Sequence, residues 1–331
     1  MEAHYFAHRL TRYYRCNQIC DFCACTSTKG QEVLSWGNLS LAAPWRRTVD
    51  FSDANDKSPW TQIDGFEKKF RLLDLLHLVH LGTLRDLTAS VIVDSLEDGS
   101  LPAWLGIETR GPQDYDVVLR AFSTHAHLWC RDNNLELGMG TLSMARLGRP
   151  KAYNWPMAIL DSRIKAARTR ALFSLLTFLM CRLVGSATLR SKDSQWQAKL
   201  RAVCCWSLDT ALSIWTLGDR VKMSKREAEH SVWLSRLHAV TYQSLAARAL
   251  LQRRLLYKIR PKTHYFQHML DHVSETHLSP MFLATFGDED YMHKIRNIAR
   301  ACHGATFHRQ WAKRYALKRA LQWQEIKKRS E

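Results

Sequence analysis

The sequence predicts a mainly α protein: an irregular multi-helix domain with a Cys-rich N-terminal segment and few or no strands. Three observations carry this. Strand-like alternation of apolar and polar residues is scarce along the chain. From Met157 onward, apolar residues recur at helical spacing, and Ser224-Lys225-Arg226-Glu227 forms a capping box ahead of a stretch with neither Gly nor Pro. Cys16, Cys20, Cys23 and Cys25 crowd into a segment with little apolar sequence around it. The chain therefore divides into a Cys-rich segment and irregular loop (residues 1–65), a helical domain (66–303) and a basic C-terminal helix (304–331).

Residues 1–30 read as a short helix or turn leading into the cysteines, and 31–65, rich in Ser, Asp, Asn, Pro and Trp, as a surface loop. A helix follows to about Leu96. Past Arg71, its opening run to Gly82 is apolar except for Asp74, His77 and His80. These fall at i, i+3 and i+6, a narrow polar stripe on a helix the surrounding leucines would bury. A buried carboxylate needs a partner, and His77 is the nearest. The outcome is either a structural pair or part of an active or metal site. Residues 97–115 read as a loop, Val117–Arg131 as a helix, and 138–156 as a Gly and Pro break. Asp161 or Ser162 can cap a helix reaching Leu183, and Ser194–Leu217 is the next. The capping-box helix could run to Ile259, about 50 Å at 1.5 Å per residue, with Pro261 as its stop. A short element at Lys262–Val273, one at Asp288–Cys302 and a basic helix at Phe307–Lys328 complete the chain.

Lys and Arg number 48 against 31 acids, a net charge of +17. That excess points to polyanions, nucleic acid first and anionic membrane second. The longest apolar run, Ala171–Ala187, is too short for a membrane span and carries Arg182, so no membrane role is expected. No secretory signal is evident, which places the nine cysteines in a reducing compartment, nuclear or cytoplasmic, as free or metal-bound thiols.

Cys20 and Cys23 form a C-x2-C knuckle, the spacing with which two thiolates grip one zinc from a tight turn. Cys16 or Cys25 could add a ligand, and His4 or His8 another; packing thiols are the alternative. His264 and His268 stand at i, i+4 on one helix face, continued by His272, a spacing that suits a metal but also occurs on ordinary surfaces. Asp288-Glu289-Asp290 can meet a helix dipole or hold Mg²⁺. Two-metal phosphoryl chemistry draws carboxylates from distant positions, and Asp74 and Glu289 could be two of them. Asp74, His77, His264 and His268 could alternatively serve a metal-dependent hydrolase. In the terminal helix, Arg309, Lys313, Arg314, Lys318 and Arg319 alternate with Trp311, Tyr315 and Trp323, cations for phosphates and rings for stacking or docking.

Together these motifs resemble the later part of eukaryotic cut-and-paste transposases of the DDE type, with an RNase H-like core, closest to the CACTA and Kyakuja-Dileera-Zisupton groups. Cys20 and Cys23 match the C-x2-C element of those families. Asp74-Leu75-Leu76-His77, followed by Leu81-Gly82, looks like their D-x-M-H element with Leu in place of Met. Lys262, His264 and His268 resemble the K-x-x-H-like segment before the final acid, which would be Glu289 or Asp290. The order and rough spacing agree over residues 16–303. The resemblance implies two further Asp on strands upstream of the knuckle, where only fifteen residues precede Cys16. It thus implies a nucleic-acid-binding, catalytically incomplete fragment, with DNA ahead of RNA as partner, structural Zn, and Mg only if an intact core were supplied. A helical nucleic-acid-binding or scaffold module without transposase ancestry is the competing expectation.

Overall fold

The computed structural model describes residues 19–20, 22–26, 34–49, 64, 73–151, 154–156, 166–184, 192–217, 220–285, 296–302, 304–307 and parts of 310–324. Residues 1–283 and 284–331 form two compact units. The protein is mainly helical and, among the described residues, has no sheet. Strand-type pairing among the described residues consists of isolated bridges, Thr26 with Ser35 and Lys222 with Leu278.

In the first unit, a π-helical lead-in, Leu76–Thr83, runs into α1 (Leu84–Glu97). Then come α2 (Ser100–Trp104), α3 (Tyr115–Asp132), α4 (Ala166–Val184), α5 (Lys192–Leu217), α6 (Lys225–Leu251) and α7 (Pro261–Thr276). The segment expected to be a loop at 97–115 instead holds α2 and a 3-10 turn, Pro112–Asp114, because Leu101 and Pro102 are buried and fix it to the core. Gly99, at φ 78°, supplies the left-handed corner into α2.

α5 is the centre of the unit, lying along both α4 and α6. Its inward residues Ala198, Ala202, Cys204, Cys205, Leu208, Ala211, Leu212 and Trp215 are buried, as are Ala228, Val232, Ala239, Leu245, Ala246 and Ala249 of α6. The small residues let the two helix axes approach closely, and the leucines fill the remaining space. Truncating one of these leucines to Ala would cost about 2–5 kcal/mol.

The predicted capping box opens α6: Ser224 Oγ accepts from Glu227 N–H at 3.2 Å, and Glu227 Oε2 accepts from Ser224 N–H at 2.8 Å. The helix stops at Leu251 rather than near Ile259. Arg253 and Tyr257 take left-handed φ values of 58° and 57°, which breaks the helical path. The turn buries Leu256 and Tyr257, and the Tyr257 N–H donates to Ser90 Oγ at 3.0 Å. Tertiary burial outweighs helix continuation here. Pro261, expected as a stop, is the first residue of α7, where its missing N–H costs nothing.

The opening helix also departs from expectation. Between Leu76 and Thr83 its hydrogen bonds run in the wider π register. A Cβ on Gly82 would lie 2.9 Å from Lys262 Cδ and 3.0 Å from the His77 carbonyl oxygen, so glycine lets α7 cross the π turn closely. In the second unit, 296–300 and the described positions from 307 to 324 include helical turns.

Candidate metal centre

Three cysteines and two histidines meet where the N-terminal segment crosses α7. Cys20, Cys23, Cys25 and His264 are all buried, and their donor atoms lie within 4.8 Å of one another. His264 Nε2 is 3.4 Å from Cys23 Sγ and 3.2 Å from Cys25 Sγ. His268 Nε2 is 3.4 Å from Cys20 Sγ and 3.1 Å from His264 Nε2. These four donors from Cys20, Cys23, Cys25 and His264 could hold one structural metal ion. With bonds of about 2.3 Å to sulfur and about 2.0–2.1 Å to nitrogen, tetrahedral edges come to about 3.5 Å for S···N and about 3.3 Å for N···N. Within the four-donor set, the separations of His264 Nε2 from Cys23 Sγ and Cys25 Sγ, 3.4 and 3.2 Å, are close to the S···N edge.

Local sequence sets each donor. Pro261 starts α7, so His264 and His268 stand one turn apart on the same inward face, with Phe266, Met269 and Leu270 buried around them. The cysteines sit on irregular backbone with little core of its own. It is tied down by Tyr265 Oη donating to the Ile19 carbonyl at 3.0 Å, and by the fully buried Trp45. The Trp45 ring meets His264 edge-on at 4.4 Å and His268 at 5.3 Å, and Phe22 stacks on His268 at 5.3 Å. Arg46, 4.6 Å over Trp45, donates to both Asp271 oxygens at 3.2 Å and to Gln267 Oε1 at 2.9 Å, clipping the segment to α7.

The thiols are electrostatically crowded. Hydrogen bonding with Cys20 and Cys23 holds Cys25 far above the usual thiol range, and burial and the charges of the same two residues push the same way. Burial, joined by Cys23, also pushes Cys20 up, but hydrogen bonds with Cys25, His264 and His268 outweigh both and leave it below its ordinary value. Burial lowers His264, so its imidazole is held neutral, the ligating form. Without a cation the cluster favours ionisation of Cys20 and opposes that of Cys25; a dication would favour the thiolate form throughout.

The other expected residues are placed as follows. Cys16, His4 and His8 lie outside the described residues, as do Glu289, Asp290, Arg309, Lys318 and Arg319. The distant His264, rather than a histidine near the N-terminus, completes the described group, because α7 packs against the cysteine segment. His272 is half-buried and stands apart from the clustered donors. Asp74 and His77 do pair, through Oδ2 and Nδ1, but His77 is 48% exposed. The pair lies at the helix start, where Asp74 Oδ1 accepts from the Leu76 N–H at 2.9 Å, so the carboxylate works as a cap. The buried member of the stripe is His80, whose pKa burial lowers to about 4, with the Arg170 charge adding to the shift. Lys313 and Arg314 are exposed, and Arg314 Nη1 donates to the Ala301 carbonyl at 2.6 Å.

A second buried polar centre was not foreseen from the sequence. Asp94, fully buried, accepts from Gln197 Nε2 at 3.0 and 3.1 Å, from Tyr257 Oη at 2.6 Å and from Arg254 Nη1 at 2.7 Å. Arg201 Nη1 lies 3.5 Å away and Arg201 Nη2 pairs with Asp98. Glu97 binds Arg149 and Arg254, each at 2.7 Å. The only sequence signal is Asp94 inside the apolar run Val91-Ile92-Val93; Arg149, Arg201 and Arg254 come from three distant places with no shared spacing.

Comparison with known protein families, with curated proteins and with solved structures gave no match.

Proposed function

We propose that this chain is a zinc-stapled helical protein, derived from a DDE-type transposase, that binds nucleic acid through its phosphates. The observation that carries the proposal is the meeting of Cys20, Cys23 and Cys25 with His264 and His268 in one buried cluster. Two motifs on which the transposase resemblance rests, the C-x2-C knuckle and the Lys262–His268 segment, stand some 240 residues apart in sequence and converge on one place.

Zinc is the metal this donor set suits best. Thiolate and imidazole together select it over the hard cations, and no redox chemistry is required. Three thiolates and Zn²⁺ carry a net charge of −1, and Arg46 lies close enough to be influenced by the Cys23 charge. The ion would cross-link the N-terminal segment to α7, closing a very long loop of chain. His268 adds a fifth donor beside Cys20, so the site has more ligands than one tetrahedral ion uses.

Nucleic-acid binding rests on the net charge of +17 and on exposed cations such as Lys313 and Arg314. DNA is favoured over RNA by the transposase resemblance.

Two measurements test the proposal together. Native mass spectrometry of the full chain should show one zinc per chain. Titration into duplex DNA of unrelated sequences should give similar affinities that fall steeply as salt rises. A metal-free folded chain overturns the zinc centre, and binding indifferent to salt overturns the phosphate role.

A further inference from the structure

α6 carries an exposed face that the packing within the unit does not explain. At 4-3 spacing from Trp233, its outward positions are Trp233, Leu237, Val240, Ser244, Ala247 and Leu251. Trp233 is 56% exposed, Val240 43% and Leu251 86%. Between His230 and Leu251 the helix has only two arginines, and each is already paired: Arg236 with Asp271 at 2.9 Å, and Arg248 with Asp193. Five turns of an outward helix face thus carry only these two arginines, both ion-paired, with Arg236 sharing Asp271 with Arg46, in a chain of net charge +17. Surface helices ordinarily place charge there, and a contiguous apolar strip marks an interaction site. Beside the strip lies a cleft of about 420 Å³, lined in part by Trp233, Leu237, Val240 and Leu41.

We propose that α6 pairs with α6 of a second copy of this chain, antiparallel, about a two-fold axis passing between the levels of Leu237 and Val240. The strip is self-complementary in that register from Trp233 to Ser244, with Leu251 falling opposite Arg226. Each position meets one whose number adds with its own to 477, so Trp233 faces Ser244, Leu237 faces Val240 and His230 faces Ala247 of the second copy. The rings of Trp233 and of His230, one turn before it on the same face, fall opposite the small residues Ser244 and Ala247, the alternation of large and small that lets facing layers interdigitate. A parallel pairing would set Trp233 on Trp233 and Ala247 on Ala247, leaving a clash at one level and a void at another. The cleft gives the partner's protruding side chains a place to enter. Charge also favours this face: two chains of +17 repel over most of their surface, and this strip is where they can meet without opposing unpaired cations. The patch is smaller than a standard interface of about 20–30 residues per side, so the dimer forms in the micromolar range.

Sedimentation velocity of the full chain, from about 1 to about 100 µM, tests this. A dimer should appear and strengthen as salt rises from about 50 to about 500 mM, because salt screens the mutual repulsion. This is opposite to the salt response of nucleic-acid binding, so the two properties fail independently. Ala247→Arg and Val240→Glu change exposed side chains only and should each weaken the dimer at least about tenfold with an unchanged circular dichroism spectrum. Val240→Cys should cross-link to itself across an axial offset of about 5 Å, whereas Leu251→Cys, offset by about 37 Å, should not. A chain that stays monomeric at about 100 µM in high salt, or a dimer indifferent to both substitutions, overturns the proposal. Efficient Leu251→Cys cross-linking overturns the antiparallel register.

Discussion

The two buried polar centres solve the same problem in opposite ways. Around Asp94, three carboxylates meet three arginines, and the remaining lone pairs are taken by Gln197 and Tyr257. Every charge has a counter-charge supplied by the chain, so the site is closed and folds without help. At the cysteine cluster, three thiols and two imidazoles converge with no comparable counter-charge among them. Acids and guanidinium groups neutralise each other; thiols and neutral imidazoles only compete for protons. The lesson is that donors gathered without their complement call for a cation, whereas donors gathered with it form structure.

The comparison breaks most visibly on metal removal. On the zinc reading, a strong chelator or Cys23→Ser should release the ion and free the N-terminal segment from α7, because ions of this kind contribute on the order of 10 kcal/mol to small sites. The helical body should survive, since α4, α5 and α6 pack on one another without the cluster. Limited proteolysis should then cut near the cysteines while helical circular dichroism is largely kept. His264→Ala should act like Cys23→Ser. His268→Ala should retain the ion if Cys20, Cys23, Cys25 and His264 form the ligand set, and elemental analysis of the two variants separates these cases.

At the closed centre the expected effect is smaller but global. Asp94→Ala would take the acceptor from the buried Gln197 amide and Tyr257 hydroxyl and leave the fully buried Arg201 with Asp98 alone, and should cost about 3–5 kcal/mol in urea unfolding, with no change on adding metal or chelator. Tyr257→Phe removes one hydrogen bond to the same carboxylate and should cost about 1.5–3 kcal/mol. A metal-sensitive Asp94 variant would show that the two centres are coupled rather than independent.

How far the sequence reached follows the same division. Local devices were legible: the capping box at Ser224 and Glu227, the C-x2-C knuckle, and His264 and His268 on one helix face all depend on spacing of a few residues. The mainly helical class followed from periodicity in the same way. Convergence was not legible. Nothing in the sequence says that α7 rather than the N-terminus supplies the histidine to the cysteines, or that Arg149, Arg201 and Arg254 gather around one acid run. The end of α6 departs from the expected Ile259 for the same reason, since only the tertiary site that receives Tyr257 explains a break at Arg253. The buried ion pair expected at Asp74 and His77 formed at a half-exposed helix start, because the π turn brings His80 inward instead.

Asp86 is the intermediate case, a carboxylate whose counter-charge is present but insufficient. Arg260 Nε lies 2.7 Å from its Oδ2, yet burial still raises the Asp86 pKa to about 6, with Arg260, Lys262, Lys258 and Arg85 only moderating the shift. The folded value lies above the unfolded one, so between about pH 3.8 and about 6 the folded state binds more protons than the unfolded chain. The group's contribution to stability is therefore complete below about pH 3.8 and lost as pH rises through about 6. Asp86→Asn keeps the shape and removes the buried charge, and Arg260, 30% exposed, can turn to water. The variant should be more stable than the wild type at pH 7 by about 1–2 kcal/mol and should lose that advantage by about pH 4. Taking the difference between the two chains cancels the opposite slope from His80, whose pKa is lowered. If Asp86→Asn instead destabilised the protein equally at both pH values, its ion pair with Arg260 would be closed in the manner of Asp94, and burial alone would not decide which centres need outside help.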